Sequence, residues 1–183
     1  MESLERSGAD ARLFTFPEGE ESKARGRWSD LTDRMLAEGF GRDCAVVALG
    51  GGVTGDLAGF VAATYMRGVP VVQVPTSLLA MVDSSVGGKT GVNTAHGKNL
   101  VGAFHHPAHV QVDPEVLSTL DRRHVAAGLA EAVKAAAIAD RELFAWMEER
   151  AGRLAEGDSE PTAELVRRAV SIKAEVVAGD PEE

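Results

Sequence analysis

Two glycine-rich segments, each next to an acid or a lysine, are the residues of this sequence best suited to bind a ligand. The first reads GGGVTGD at residues 50–56, and the second runs from Asp83 through Lys89 to Asn99. Glycines allow backbone N–H groups to approach a phosphate that a Cβ atom would keep away. Both segments therefore favour a nucleotide or a phosphorylated ligand. A tight strand-to-helix turn is the alternative for the first, because it departs from the G-x-G-x-x-G spacing.

A third motif, GLAEAVK at residues 128–134, places an acid and a base on one helix face. Glu131 and Lys134 are three residues apart, so their side chains are neighbours on a helix. The surrounding Ala, Val, Leu and Ile residues indicate a buried face, where a carboxylate needs a cation, either Lys134 or a metal ion. A weak surface ion pair is the alternative. The five histidines follow neither the H-x-x-x-H nor the H-E-x-x-H spacing, so the sequence shows no complete metal site.

Composition narrows the class of protein. The 183 residues carry a formal net charge of −9, which disfavours nucleic acid as a partner. One cysteine, Cys44, excludes an internal disulfide, and its place at the start of an apolar run predicts a buried thiol. We find no apolar stretch long enough to cross a membrane and no secretion signal, so we expect a cytoplasmic protein with no membrane partner.

Hydrophobic periodicity predicts an α/β part followed by a helical part. In residues 1–114 it predicts helices at 24–38 and 56–66, a helical turn at 77–82, and strands at 44–49, 69–74 and 110–112. The strand at 44–49 is expected to be covered on both faces, because its apolar run is continuous. Residues 115–183 are expected to form helices at 115–120, 122–140, 141–154 and 161–178, with Ser159 as an N-cap. We therefore expect two domains, at 1–114 and 115–183.

Six segments in this order resemble the 3-dehydroquinate synthase family of sugar phosphate cyclases. They are residues 50–56, 65–68, 74–79, 82–93, 97–99 and 128–134, and the resemblance extends from about residue 17 to residue 183. The block DSSVGGKTG at residues 83–91 is the most specific of them. Related cyclases and the iron- or zinc-dependent glycerol-type dehydrogenases of the same fold look different there.

The resemblance implies a fold, a reaction and cofactors. The fold would be α/β, with a partial NAD-binding parallel-sheet domain followed by the start of an all-helical metal-binding domain. The reaction would be that of a lyase in the shikimate pathway of aromatic amino acid biosynthesis. It converts 3-deoxy-D-arabino-heptulosonate 7-phosphate to 3-dehydroquinate and phosphate. NAD and a divalent metal, zinc or cobalt, would be the cofactors, and the full-length protein would be a homodimer.

Matching positions to the family's motifs assigns roles to individual residues. The residues implied to bind NAD are Glu20, Lys23, Gly51, Gly52, Val53, Asp56, Thr76, Ser77, Lys98 and Thr119. Those implied to face the sugar phosphate substrate are Arg67, Asp83, Lys89, Asn99, Lys134 and Lys173, with Arg67 reaching the site of the neighbouring subunit. Glu131 matches a metal-binding carboxylate. Lys134, Lys173 and Glu183 match catalytic positions.

The family's chain is longer at both ends, and its histidine metal ligands fall after Glu183. A catalytic zinc needs three protein ligands, and Glu131 supplies one. We therefore expect this chain alone to be inactive and to bind no stoichiometric zinc. Two other interpretations remain open: an inactive remnant, and another NAD- and metal-dependent enzyme of the same fold, either a sugar phosphate cyclase or an alcohol dehydrogenase.

Overall fold

The structure, a computed structural model, describes residues 2–180 and 182. Its strands form two sheets. The first is a three-stranded parallel sheet in the order β1-β2-β5, and the second is an antiparallel hairpin of β3 and β4. The strands in the described residues are β1 (Val46–Gly50), β2 (Val71–Pro75), β3 (Lys89–Thr94), β4 (Gly97–Phe104) and β5 (His109–Val110).

Helix α3 packs on the parallel sheet, and helices make up the C-terminal part. In the described residues the α-helices are α1 (Glu2–Arg6), α2 (Arg25–Ala37), α3 (Gly52–Thr64), α4 (Arg122–Ala139), α5 (Arg141–Glu149), α6 (Ala151–Glu156) and α7 (Ser159–Gly179). Shorter turns are a π-helix at Ala80–Ser84 and 3-10 helices at Glu20–Ser22, Tyr65–Arg67 and Pro114–Thr119. The predicted α/β class is confirmed. Among the described residues, no helix has both the length and the apolarity to cross a bilayer.

Helix α3 is the centre of the α/β part. It packs against β1 and β2 on one side and against the β3–β4 hairpin on another, and Leu57 and Ala62 are fully buried. A Cβ atom on Gly59 would lie 2.5 Å from Cγ2 of Thr90, so only glycine allows α3 to approach β3 this closely. Small residues in α3 thus bring the hairpin onto the helix that follows the first glycine-rich segment.

The structure corrects several predicted elements in the α/β part. Helix α3 begins at Gly52 rather than at residue 56, because the glycines form its first turn. Segment 83–99, where no strand was predicted, contains β3 and the start of β4. The prediction that the first strand is covered on both faces is wrong. Ala48 is buried, but Val47 and Leu49 on the opposite face are 48% and 64% exposed.

Two further corrections concern burial and helix ends. Cys44 is only partly buried, although it packs against the core of the α/β part, and burial raises the pKa of its thiol. The predicted helix at 141–154 is interrupted at Arg150, whose φ of −114° and ψ of 11° separate α5 from α6. The N-cap of α7 is Asp158 rather than Ser159, since the Asp158 carboxylate accepts a hydrogen bond from the Glu160 N–H.

The π-helix joins the two parts of the chain. Its buried residues Met81 and Val82 pack with Leu117 and with Val166 of α7 in one hydrophobic cluster. A second cluster lies within the helices α4 to α7. The segment around residue 80 therefore packs with the helical part, although the predicted boundary at residue 114 assigns it to the α/β part. That boundary stays a prediction.

Candidate functional site

The N-terminus of α3 forms a cradle where the two glycine-rich segments meet. Gly51 is the N-cap of the helix, and the N–H groups of its first turn have no intrahelical acceptor. Cβ atoms on Gly51 and Gly52 would lie 3.4 Å from Ser77 Oγ and 3.0 Å from Ser84 Oγ. Free N–H groups, two nearby hydroxyls and the positive end of a helix dipole together suit a phosphate or pyrophosphate.

Strand ends hold this cradle in place. The Thr76 N–H donates to the Gly50 carbonyl oxygen at 2.9 Å, which ties the carboxyl end of β1 to that of β2. Val53 lies in the first turn of α3, next to the cradle glycines. Ligands of open parallel sheets bind at these carboxyl ends. The positions predicted for NAD at residues 51–53 and 76–77 are thus brought together.

A buried ion pair connects the cradle to the 3-10 turn that precedes α2. Lys23, which is 4% exposed, contacts the Asp56 carboxylate with its Nζ. Burial raises the pKa of Asp56 above its ordinary value, and the opposing pull of the Lys23 ammonium only partly offsets it. Both residues were expected to contact NAD. In the structure they contact each other, so the pair fixes the 3-10 turn against α3.

A second group of predicted residues lies around the turn of the β3–β4 hairpin. Asn93 Nδ2 donates to Glu20 at 2.7 Å, Lys98 lies 3.5 Å from the same carboxylate, and the Asn99 N–H donates to Asn93 Oδ1 at 3.0 Å. The Asn93 hydrogen bond is the main reason that the pKa of Glu20 is lowered. An open groove of about 570 Å³ lies beside this group, lined by residues that include Glu20, Lys23 and Asn93.

A third group, which we name the lysine–carboxylate cluster, consists of Asp83, Glu131, Lys134 and Lys173. Lys173 Nζ on α7 lies 3.0 Å from Asp83 Oδ1 on the π-helix, and Lys134 contacts Glu131 one turn along α4. The contact with Glu131 is the main cause of a raised pKa at Lys134. We expected this face of α4 to be buried. It is only partly buried, since the side chains of Lys134 and Glu131 are 58% and 31% exposed respectively.

The π-helix that carries Asp83 could not be found from the sequence. The Ser85 N–H donates to the Ala80 carbonyl oxygen at 3.0 Å, five residues back. Such wide turns are rare and occur often at functional sites. Asp83 and Ser84 follow each other in this turn, and they reach the lysine–carboxylate cluster and the α3 cradle respectively. The only signal in the sequence was the density of polar and glycine residues after Val82.

Other predicted residues lie apart from these groups. Lys89 begins β3 opposite Phe104, and Thr119 is exposed at the end of the last 3-10 helix. The Asn99 N–H donates to Asn93, which in turn donates to Glu20, so Asn99 lies with the hairpin-turn group and not with Asp83. Arg67 is exposed on a turn where it and Met66 both have positive φ, 71° and 49°. Glu183, a predicted catalytic residue, lies outside the described residues.

The cradle fits the pyrophosphate of NAD, whereas the carboxylate at Glu131 does not by itself fit a catalytic metal. No group of three or more potential ligands, counting His, Cys, Asp and Glu, occurs in residues 2–180 and 182. Glu131 Oε2 is buried, and the group that contacts it is the ammonium of Lys134. A zinc site requires two more protein ligands than Glu131 provides.

Most of the chain matches a known protein family. Residues 13–127 match the family described as 3-dehydroquinate synthase N-terminal, and residues 128–183 match 3-dehydroquinate synthase C-terminal. A 3-dehydroquinate synthase of Symbiobacterium thermophilum is 51% identical over 181 residues, which are 99% of this chain and 51% of that protein. A 3-dehydroquinate synthase of Syntrophotalea carbinolica is 47% identical over 182 residues, which are 100% of this chain and 50% of that protein.

A solved structure of a related cyclase superposes closely. The 2-epi-5-epi-valiolone synthase of Streptomyces hygroscopicus, with NAD+ and Zn2+ bound, gives a TM-score of 0.93 at 35% identity, and the match covers 98% of this chain and 51% of that one. The chain spans about half the length of the curated relatives that it matches. Both family matches together extend from residue 13 to residue 183. The chain therefore belongs to the 3-dehydroquinate synthase family.

Proposed function

We propose that this chain forms part of a 3-dehydroquinate synthase, a lyase that converts 3-deoxy-D-arabino-heptulosonate 7-phosphate to 3-dehydroquinate and phosphate. The observation that carries the proposal is the position of a phosphate cradle next to a lysine–carboxylate cluster. Both occur in a chain that is 47–51% identical to curated synthases. The activity would serve the shikimate pathway. One cysteine in 183 residues supports the cytoplasm as its location.

The cradle would hold the pyrophosphate of NAD on the N–H groups of Gly52 and Val53, with the hydroxyls of Ser77 and Ser84 beside them. The groove around Glu20 would receive the adenosine, since the Lys23–Asp56 pair fixes its wall against α3. When bound, NAD accepts a hydride from a substrate carbon and later returns it. The π-helix carries both Ser84 of the cradle and Asp83 of the lysine–carboxylate cluster, so NAD held in the cradle would lie close to the substrate subsite.

The lysine–carboxylate cluster would bind the anionic substrate. Lys134 and Lys173 supply ammonium groups for a phosphate or carboxylate, and Asp83 supplies an acceptor for a sugar hydroxyl. Lys89 and Asn99 lie on the hairpin apart from this cluster, so their assignment to the substrate rests on the family resemblance alone. The positive-φ turn at Met66 and Arg67 presents an exposed guanidinium, and we propose that it reaches the site of a second subunit in a homodimer.

Another sugar phosphate cyclase is the second candidate function. The valiolone synthase supports it, since that enzyme shares the fold at a TM-score of 0.93. Its identity to this chain is 35%, however, against 47–51% for the curated dehydroquinate synthases. The two candidates differ in substrate, so they are separated by comparing the affinity of the chain for the heptulosonate phosphate with its affinity for a seven-carbon sugar phosphate that lacks the carboxylate.

NAD titration of the purified 183-residue chain tests the cradle. We expect binding by the wild-type chain and at least a ten-fold weaker affinity for Gly52→Val, because the added side chain fills the space between Gly52 and Ser84 Oγ. Gly152→Val is the matched control. It introduces the same side chain into a helix where a Cβ has nothing within 4 Å, so its NAD affinity should equal the wild type. Equal affinity of both variants would contradict the assignment.

A separate assay tests what the chain can do alone. We expect less than one zinc per chain by mass spectrometry and no release of phosphate from the heptulosonate phosphate with NAD and zinc present. The reason is that Glu131 offers one of three required ligands. One bound zinc per chain, together with turnover that Glu131→Ala abolishes, would show that the described residues and the remaining terminal ones suffice for a metal site.

A further inference from the structure

Lys173 has an anion beside it before any ligand binds. Asp83 Oδ1 lies 3.0 Å from its ammonium nitrogen, and the two side chains are 34% and 22% exposed respectively. The second lysine of the cluster, Lys134, is in contact with Glu131. The cluster thus contains two lysines and two carboxylates and is electrically balanced by its own residues.

A ligand anion that approaches Lys173 therefore meets the Asp83 carboxylate on the same ammonium group. Asp83 also acts over a longer range. Its negative charge raises the pKa of Lys134, whereas the positive charge of Lys173 lowers it. Two anions that share one ammonium come within a few ångströms of each other. In a partly buried site their repulsion is several times stronger than in water.

We propose that Asp83 is an internal counter-ion that competes with ligand anions for Lys173, so that binding of an anion costs the Asp83–Lys173 contact. The same contact links the π-helix to α7, since these are the elements that carry the two residues. In the absence of a ligand, Asp83 therefore stabilises the packing of the π-helix against α7. The same contact lowers the affinity of Lys173 for other anions. The proposal rests on the proposed function in one respect, namely that Lys173 belongs to the substrate subsite.

The direct test is Asp83→Asn with inorganic phosphate as the probe. We expect this variant to bind phosphate about ten-fold more tightly than the wild type, because one nearby negative charge is removed. The double variant Asp83→Asn with Lys173→Gln should lose the gain. Asp140→Asn is the matched control. It removes the carboxylate that lies 2.9 Å from Arg168, another cation of α7, and should leave phosphate affinity unchanged.

A measurement on the wild-type chain keeps the proposal testable if Asp83→Asn does not fold. The carbon-13 resonance of the Asp83 carboxyl group should move, at saturating phosphate, toward its position in Lys173→Gln, where the contact is absent. A resonance that stays in place while the lysine resonances shift would overturn the proposal. So would an Asp83→Asn variant that binds phosphate no more tightly than the wild type. NAD titration of the same samples tests the cradle separately. The proposal about Asp83 can therefore fail while the proposed function holds, and the reverse is also true.

Discussion

Replacing Gly128 with alanine should destabilise the fold by about 1–2 kcal/mol, although the same change favours an isolated helix. Gly128 is buried in α4, where a Cβ atom would lie 2.6 Å from Cβ and Cγ of Leu78 and 2.7 Å from the backbone nitrogen of Leu79. Leu78 is 1% exposed and cannot move aside easily. Overpacking of this kind costs about 1–3 kcal/mol, and contact with backbone places Gly128 in the upper half of that range.

Helix propensity acts in the opposite direction. Alanine is favoured over glycine by about 1 kcal/mol inside a helix, so this gain offsets part of the overpacking cost and gives the net value above. Gly152→Ala in α6 isolates the propensity effect, because a Cβ at Gly152 has nothing within 4 Å. This control should be neutral or more stable than the wild type by up to about 1 kcal/mol. We therefore expect Gly128→Ala to lower the free energy of unfolding and Gly152→Ala to leave it unchanged or raise it.

Urea denaturation followed by tryptophan fluorescence measures both effects. Trp28 lies on α2 and Trp146 on α5, so the signal reports on the α/β part and on the helical part of the chain. A Gly128→Ala variant that is as stable as the wild type, beside a Gly152→Ala control that behaves as expected, would refute the close approach of α4 to the segment before the π-helix. In that case the space between Gly128 and Leu78 would be large enough for a methyl group, contrary to the structure.

Two further substitutions test the charged groups. Lys23→Met should cost about 3 kcal/mol at neutral pH, because it leaves the Asp56 carboxylate, whose side chain is only 21% exposed, without its cation. The loss of the cation raises the folded pKa of Asp56 further, so the cost should grow as pH rises from about 4 to 8, which urea midpoints across that range would show. Asp158→Asn keeps the N-cap of α7 but removes the ion pair with Arg153. The hydrogen bond from Arg153 lowers the pKa of Asp158 in the folded chain. The variant should therefore be less stable than the wild type above the usual Asp pKa of about 3.9, and the difference in urea midpoint should vanish as pH falls through the folded pKa.

Local patterns of the sequence predicted much of the fold. The helix expected at 24–38 is found as α2, Arg25–Ala37, and the strand expected at 69–74 is found as β2, Val71–Pro75. These elements were predictable because the spacing of their own apolar residues decides them. The ion pair between Glu131 and Lys134 was predictable for the same reason, since three residues on a helix bring two side chains together.

Features that depend on distant residues could not be predicted. Lys23 and Asp56 were each assigned to a cofactor, yet 33 residues separate them and nothing local indicates that they pair. The hairpin of β3 and β4 was missed because glycines interrupt its alternation, while its register is set by packing on α3. The exposure of Leu49 was also missed, because a continuous apolar run does not say which of its faces another element covers.

The π-helix explains how distant residues come to form one site. Successive residues of a helix do not face each other, so Asp83 and Ser84 point to different neighbours. Ser84 Oγ lies 3.0 Å from the position of a Cβ on Gly52, at the cradle, whereas Asp83 reaches Lys173 on α7. A change of register by one residue in this turn would rotate both side chains away from their present neighbours and break both contacts. The cradle of the α/β part and the lysines of the helical part are therefore positioned relative to each other by these two adjacent residues.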